Sequence, residues 1–361
     1  MGAAPVHIVT FPSPSKPTSR PRRVRFRLAV AIIAVAGASP AVPLQAQVLP
    51  TFGGDRAGTS GFQFLKVAVD PRGEALGHTV VANAADGSAL FWNPALAAQA
   101  EGAHVALHHA GYFADVNVDY VAALAHLPGT GLTLGLSLQA LTTDAMDVTT
   151  ELQPFGTGET FQFSDVGVGA TLSQRLTDLF SYGVTAKWIR ESAAGLTTNG
   201  VVFDIGIFYR IGQTGAEMAV AVRNFGPDAR PSGELERVII SGSGQTIETD
   251  FESITPPTMF LLGVTYNALR GAETSDLNIS AQLNNPSDNI ENWNVGAEYV
   301  WNRTLFMRVG YRFGIEEYTI PSVGAGVQVP ILGPLLRFDY AFSRLDRLGD
   351  VHRVGLNLNF K

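Results

Sequence analysis

From His104 to the carboxy terminus the chain repeats one pattern: segments of about ten residues in which apolar side chains alternate with small or polar ones. Leu132, Leu134, Leu136 and Leu138 alternate with Thr133, Gly135, Ser137 and Gln139, and Val354, Leu356, Leu358 and Phe360 with Arg353, Gly355, Asn357 and Asn359. Similar alternation runs through 166–172 and 277–283. In a strand, successive side chains point to opposite faces, so each set lines one face of a sheet. A soluble sandwich gives the same local alternation, so strand length, strand count and loops must decide. The pattern predicts fourteen strands near 104–112, 115–125, 131–142, 164–175, 180–191, 200–211, 216–225, 258–268, 275–284, 292–301, 304–313, 322–330, 334–343 and 351–360. Strands of about 9–11 residues suit a tilted crossing of a bilayer, whereas soluble strands average about 5–6. An even number is the rule for bacterial outer-membrane barrels.

The connections sort by parity. Those after even strands are mostly tight, such as 127–131, 212–215, Asn302-Arg303 and 332–334. The longest, 143–163 and 226–257, follow odd strands, with moderate ones near 192–199, 314–321 and 344–350. Short periplasmic turns opposite long extracellular loops are a membrane-barrel asymmetry that a sandwich has no reason to show. Composition agrees. Charged residues make up 16% of the chain, below the roughly 25% of soluble proteins. The fold class expected is therefore an all-β membrane protein, a fourteen-stranded antiparallel transmembrane barrel over 102–361.

The net charge of -7 argues against a nucleic-acid partner. The absence of cysteine excludes disulfides, thiolate metal sites, thiol nucleophiles and a cysteine-linked lipid anchor. At the start, Arg20, Arg22, Arg23, Arg25 and Arg27 precede an apolar run, Leu28 to Ala38, that is too short to span a bilayer. Residues 1–46 are expected to be a signal peptide with an atypical amino-terminal extension and cleavage after Ala46. The alternative is a short membrane anchor. A flexible Gly-rich leader follows at 47–61.

If the apolar set faces lipid, the other set faces the lumen: Asp119, Lys187, Asp204, Arg210, Arg223, Glu298, Arg308, Arg312, Arg337, Asp339 and Arg353. Glu298, Arg308, Arg312, Arg337, Asp339 and Arg353 form the candidate lumen charge network. Its plainer reading is ion pairs that hold strands in register, since buried charges are normally paired; the functional reading is an anion-guiding or headgroup-binding patch. Tyr182, Trp188, Tyr266, Trp293, Tyr299, Trp301, Tyr311 and Phe360 fall near predicted strand ends, where interfacial aromatics sit. The last strand ends on Phe360 and Lys361, similar to the signal read by the outer-membrane barrel assembly machinery.

Residues 62–101 break the β pattern. In "ALFWNPALAA" (89–98), Asn93 is a candidate helix N-cap and Pro94 suits the first helical position. A barrel of about fourteen strands leaks unless filled, so 62–101 is expected to be an amino-terminal hatch or plug containing short helices. Phe62, Phe64, Leu90, Phe91 and Trp92 would anchor it to the inner wall or line a ligand pocket there.

The stretch "FLKVAVDPRGEALGHTVVANAADGSALFWNPALAA" (64–98) resembles the amino-terminal signature of the PorV/PorQ family, within the FadL-like superfamily of outer-membrane barrels. The matching positions are Phe64, Leu65, Arg72, Ala75, Gly77, Ala82, Asp86, Ala89, Trp92, Asn93, Pro94 and Ala95; Pro71, Glu74 and His78 depart from the usual pattern. The motif's core is Asp86, Trp92, Asn93, Pro94 and Ala95. The resemblance implies a fourteen-stranded barrel with an amino-terminal hatch in the bacterial outer membrane. It implies one of two roles: transport of hydrophobic small molecules or lipids past the hatch, or type IX secretion, in which extracellular loops bind secreted proteins and pass them to a surface attachment complex.

No catalytic constellation is present: no Gly-x-Ser-x-Gly, phosphate-binding loop or His-Glu-x-x-His. His104, His108 and His109 lack an evident converging partner for a metal. The expectation is a non-enzyme without cofactor or metal, whose partners are the bilayer and either hydrophobic small molecules or secreted proteins.

Overall fold

Each alternating segment folds as a long strand, because only a closed sheet satisfies its backbone while one face stays apolar. The computed structural model describes residues 57–360, apart from 85, 151, 240–243, 249 and 332. The signal-peptide segment and residues 47–56 of the leader lie outside the described residues. Fourteen long strands follow one another: β1 (Ala103–Gly111), β2 (Asn117–Leu127), β3 (Leu132–Thr142), β4 (Phe163–Arg175), β5 (Phe180–Ala193), β6 (Leu196–Arg210), β7 (Ala216–Phe225), β8 (Met259–Asn267), β9 (Ser275–Pro286), β10 (Asn292–Trp301), β11 (Leu305–Phe313), β12 (Ser322–Pro330), β13 (Leu335–Leu345) and β14 (Gly349–Phe360). Each pairs antiparallel with its sequence neighbour, and β1 pairs with β14 from Ala103↔Phe360 to Gly111↔His352. The sheet is thus a closed fourteen-stranded barrel, as the alternation predicts. No helix among the described residues is long and apolar enough to cross a membrane.

The outer wall carries the apolar set. Leu134, Leu136, Leu138, Val168, Leu172, Ile205 and Ile207 are exposed. Between them Thr133, Gln139, Thr171, Ser173, Asp204 and Gln282 point inward and are buried. One inward assignment is overturned. Asp119 lies on the outer face, half exposed, 2.8 Å from His109 on the neighbouring strand. The inner face of β2 is itself largely apolar, built from Val118, Tyr120, Ala122 and Leu124, while that of β1 sets Ala106 and Ala110 beside His104 and His108. Both faces of β2, which carries Asp119, are largely apolar, so hydropathy could not assign its sides. Arg210, also expected inward, sits at a strand end, partly exposed and bonded to Glu217.

Two expected loops are tight turns instead. β5 and β6 extend to Ala193 and Leu196 and are joined by Ala194 and Gly195, both in the left-handed region (φ 46° and 84°), as a two-residue hairpin requires. β13 and β14 meet across 346–348. The upper ends of β5 and β6 are polar (Thr197, Thr198, Asn199), and that polarity reads as loop although it belongs to strand. The connection 143–162 carries a two-residue ladder, Met146–Asp147 with Thr160–Phe161, and 226–258 carries a hairpin of Leu235–Ile239 with Gly244–Glu248.

Inside the sheet lies the segment from residue 57 to 102. It has a single 3-10 turn (Gln63–Lys66) and three short helices, α1 (Pro71–Ala75), α2 (Ala89–Trp92) and α3 (Pro94–Ala97). Helices this short are marginal alone, so packing holds them. Leu90, Phe91, Trp92, Leu96 and the alanines around them form one buried cluster with the inner faces of β1 and β2 and with Phe208. Phe62, Phe64 and Leu65 form a second with Ile189, Val202 and Ala229.

Candidate functional site

Local capping shapes the segment. Asn93 is the N-cap of α3: its Oδ1 accepts from Ala95 N at 3.0 Å, and Pro94 follows at the first helical position. The same amide donates to Val81 O at 2.9 Å and to Ile207 O on β6 at 3.3 Å. One side chain thus caps a helix, ties two parts of the segment together and docks it on the wall. Asp70 caps α1 by accepting from Gly73 N at 2.6 Å, and also accepts from the Trp92 indole at 2.6 Å. Asp86 accepts from Ser88 N and Oγ at the turn before α2.

The α3 carbonyls are met by β4 and β5. Ser173 donates to Pro94 O, Ser181 to Ala95 O at 2.9 Å and Arg175 to Ala98 O at 2.7 Å. The approach is possible because the wall is bare there. A Cβ on Gly183 would lie 2.5 Å from the Pro94 carbonyl carbon, closer than atoms pack.

On the opposite wall the contacts are ionic. Arg72 forms a two-point pair with Glu298 at 2.9 Å through both Nε and Nη2. Glu298 also accepts from Arg308 at 2.6 Å, and Arg308 reaches Asp339 at 2.7 Å. Arg337 bridges Asp339 at 2.7 Å and Asp86 on the segment. Glu74 faces Arg312 at 2.5 Å and Arg353 at 3.3 Å. The six network residues proposed from sequence therefore divide into two clusters. The segment contributes Arg72 and Asp86 to one and Glu74 to the other. Sequence reasoning missed Asp70, Arg72 and Glu74 as partners. Their signal was visible: three ionisable residues within five positions of an otherwise small or apolar stretch.

Burial alone would push the Glu74 carboxyl up, but Arg312 and Arg353 outweigh it and hold it well below the usual carboxylate range. Asp86 is likewise held low against burial by Arg337 and Arg72. His78, 3.1 Å from Glu74, goes the other way: burial, with Arg312 behind it, lowers its pKa to about 4 despite that carboxylate, so the ring is neutral at pH 7. A third cluster pairs Lys187 with Asp204 at 2.5 Å and stacks the Arg223 guanidinium 3.9 Å over the Phe91 ring.

The five candidate pocket residues do not converge on one space. Phe62 and Phe64 belong to one buried cluster and Leu90, Phe91 and Trp92 to the other. The cleft beside Leu90 and Phe91 measures only about 10 Å³. A far larger cavity, about 580 Å³, lies at the long-loop end of the barrel, between the segment and β8–β11 and β14. Its floor is Glu74, His78, Arg312 and Arg353. His104 and His108 point inward and His109 outward, and no metal-binding group of three His, Asp or Glu occurs among the described residues.

No family model and no curated protein matches the sequence. The fold does have solved counterparts. The Ralstonia pickettii toluene transporter TbuX superposes with a TM-score of 0.50 at 12% identity, over 81% of this chain and 98% of that one. A Pseudomonas aeruginosa FadL homologue gives 0.52 at 12% identity, over 81% and 98%. The Pseudomonas putida toluene transporter TodX gives 0.51 at 11%, over 80% and 96%. At such identities the likeness is one of fold alone.

Proposed function

We propose that this chain is an outer-membrane barrel, exported by its signal peptide, that carries hydrophobic small molecules across the membrane, with residues 62–101 as its hatch. The carrying observation is that the bore is filled by a segment of the same chain, docked through polar contacts on two sides of an otherwise apolar-coated barrel. The solved counterparts include proteins described as toluene transporters and a monoaromatic hydrocarbon channel, which supports the substrate class. Asp86, Trp92, Asn93, Pro94 and Ala95 would serve as the hatch's structural motif rather than as ligand contacts.

The absence of cysteine makes a direct test available. A Cβ on Gly87 would lie 3.4 Å from that of Ala122 on β2, near the roughly 3.5–4.5 Å of a disulfide. Gly87→Cys with Ala122→Cys, in an Ala106→Gly background that makes room for the new side chain, should form a bridge between segment and wall. Uptake of labelled toluene by cells expressing the oxidised variant should stop and return on reduction. Uptake indifferent to the bridge would refute a moving hatch.

One observation favours a second reading, protein handling of the type IX kind. The connection 226–258 builds its own hairpin, and at the tip of 143–162 Leu152 and Phe155 are 93% and 99% exposed. Deleting 233–253 should then abolish capture of secreted proteins while the barrel still assembles; toluene uptake unchanged by that deletion, with no protein captured by the intact chain, favours transport.

A further inference from the structure

Two cavities share one arc of the wall. The cavity of about 580 Å³ at the long-loop end reaches Met259 on β8 and Asn284 on β9. A second, of about 340 Å³, opens at the short-turn end and is lined by Thr265 and Asn267 on β8, Asn278 on β9 and Glu217 on β7. Successive side chains of a strand face opposite ways. Two inward positions on each strand therefore separate the cavities: Leu261 and Gly263 on β8, Ser280 and Gln282 on β9.

Val81 occupies that interval. It is fully buried and packs with Leu261 and with Ala221 on β7. Its Cγ1 would lie 2.3 Å from a Cβ on Gly263, so the bare backbone there is what admits it. Its N–H donates to Gln282 Oε1 at 3.1 Å, and its carbonyl accepts from the Asn93 amide at 2.9 Å. Gln282 donates in turn to Asn284 Oδ1 at 2.6 Å, so the closure is bonded to a residue that lines the upper cavity.

The helices pack mainly on other strands, α1 on β11–β14 and α3 on β3–β6. Among the described residues no ion pair joins 77–84 to β8 or β9, whereas Arg72 and Glu74 tie α1 to its wall. A seal made of apolar contact and one hydrogen bond to the wall parts without separating buried charges, the costlier event.

We propose that Val81 gates a passage along the inner face of β8 and β9, and that hydrophobic molecules move from the upper cavity to the lower one when it leaves Gly263. This rests on the transport reading and deepens it, by naming the route and the residue that closes it.

The test is uptake of labelled toluene by cells expressing the full chain and three variants, each compared at equal amounts of assembled barrel. Val81→Ala removes the packing of two methyl groups from the seal and should raise uptake about fivefold. Leu96→Ala opens a void at the α3 end, where Leu96 is buried, and should leave uptake unchanged. Asn278→Trp puts bulk into the lower cavity, whose 340 Å³ leaves room for it, and should cut uptake several-fold. Uptake unchanged by Val81→Ala, raised equally by Leu96→Ala, or unchanged by Asn278→Trp overturns the gate. The tryptophan variant leaves the segment untouched and decides the route even if Val81→Ala fails to assemble. The transport reading fails separately, if cells with the unaltered chain take up toluene no faster than cells without it.

Discussion

The inner wall holds the same segment in two ways. Around α1 the wall of β10–β14 grips with charge: Arg72 on Glu298, Arg337 on Asp86, Arg312 and Arg353 on Glu74. Around α3 the wall of β4–β6 grips with shape and with bonds to backbone carbonyls, through serine hydroxyls, Arg175 on Ala98 O, the Ile207 carbonyl that takes the Asn93 amide, and the bare backbone at Gly183 and Gly206. Glycine serves the first wall too, since a Cβ on Gly310 would collide with the Leu76–Gly77 peptide. What differs is the partner chemistry. Ionic contacts can exchange for water when a region opens, and they respond to pH. Contacts to backbone carbonyls in a close-packed seat either fit or do not. The comparison predicts that, if the segment opens, the α1 end lets go before the α3 end.

The largest effect that would break this comparison belongs to Glu74. Glu74→Gln leaves Arg312 and Arg353 buried without their carboxylate, at a cost of about 3–5 kcal/mol. Protease cleavage within 66–80 should become fast while α3 stays protected; protection unchanged at α1 would sink the ionic account. Next, Gly183→Val overpacks the other seat by about 1–3 kcal/mol. Hydrogen exchange should then accelerate at 93–98 and not at 71–78. Equal acceleration at both would show one cooperative unit instead of two.

Acid sharpens the contrast. His78 is docked neutral with a pKa of about 4, against about 6.5 when released. The released segment therefore binds more protons between those values, so docking weakens as pH falls through that window, by about 2 kcal/mol at pH 5. Glu74 and Asp86, held low when docked, retain their contribution until more acidic pH. His78→Asn should flatten the profile of α1 protection between pH 7 and 5, and a profile unchanged by that substitution would clear His78 of the role. Asn93→Ala removes the cap, about 1 kcal/mol, and also strips the Val81 and Ile207 carbonyls of their donor, read as a drop in the thermal midpoint of α3 release larger than a cap alone would give.

Much of the architecture was legible because period-two hydropathy over long strands admits few solutions. It failed where its premise failed. β2 is largely apolar on both faces, so its pattern puts Asp119 inside, whereas it pairs outside with His109. At the tops of β5 and β6, polar residues beyond the apolar band looked like loop. The Asn93 cap was readable from two adjacent residues, because capping is local. The partners of Arg308 and Arg337 within the wall were readable as a set, since they share neighbouring strands. Which segment residue each would meet was not, for Arg72 and Glu298 are 226 positions apart and only barrel closure brings them together.

That closure imposes an order of events. The first strand is hydrogen-bonded to the last along its full length, so the ring is complete only once the final strand is in place. The segment inside it is the first part of the barrel unit to be made, and α1 rests on strands from the carboxy-terminal half while α3 rests on strands from the amino-terminal half. An object touching both arcs of a ring sets the ring's girth before the gap is shut. On this reading the segment would be a former around which the barrel is wound, and a chain without 57–101 is expected to assemble slowly or with a mispaired seam between β1 and β14, visible as lost heat-resistant mobility on gels.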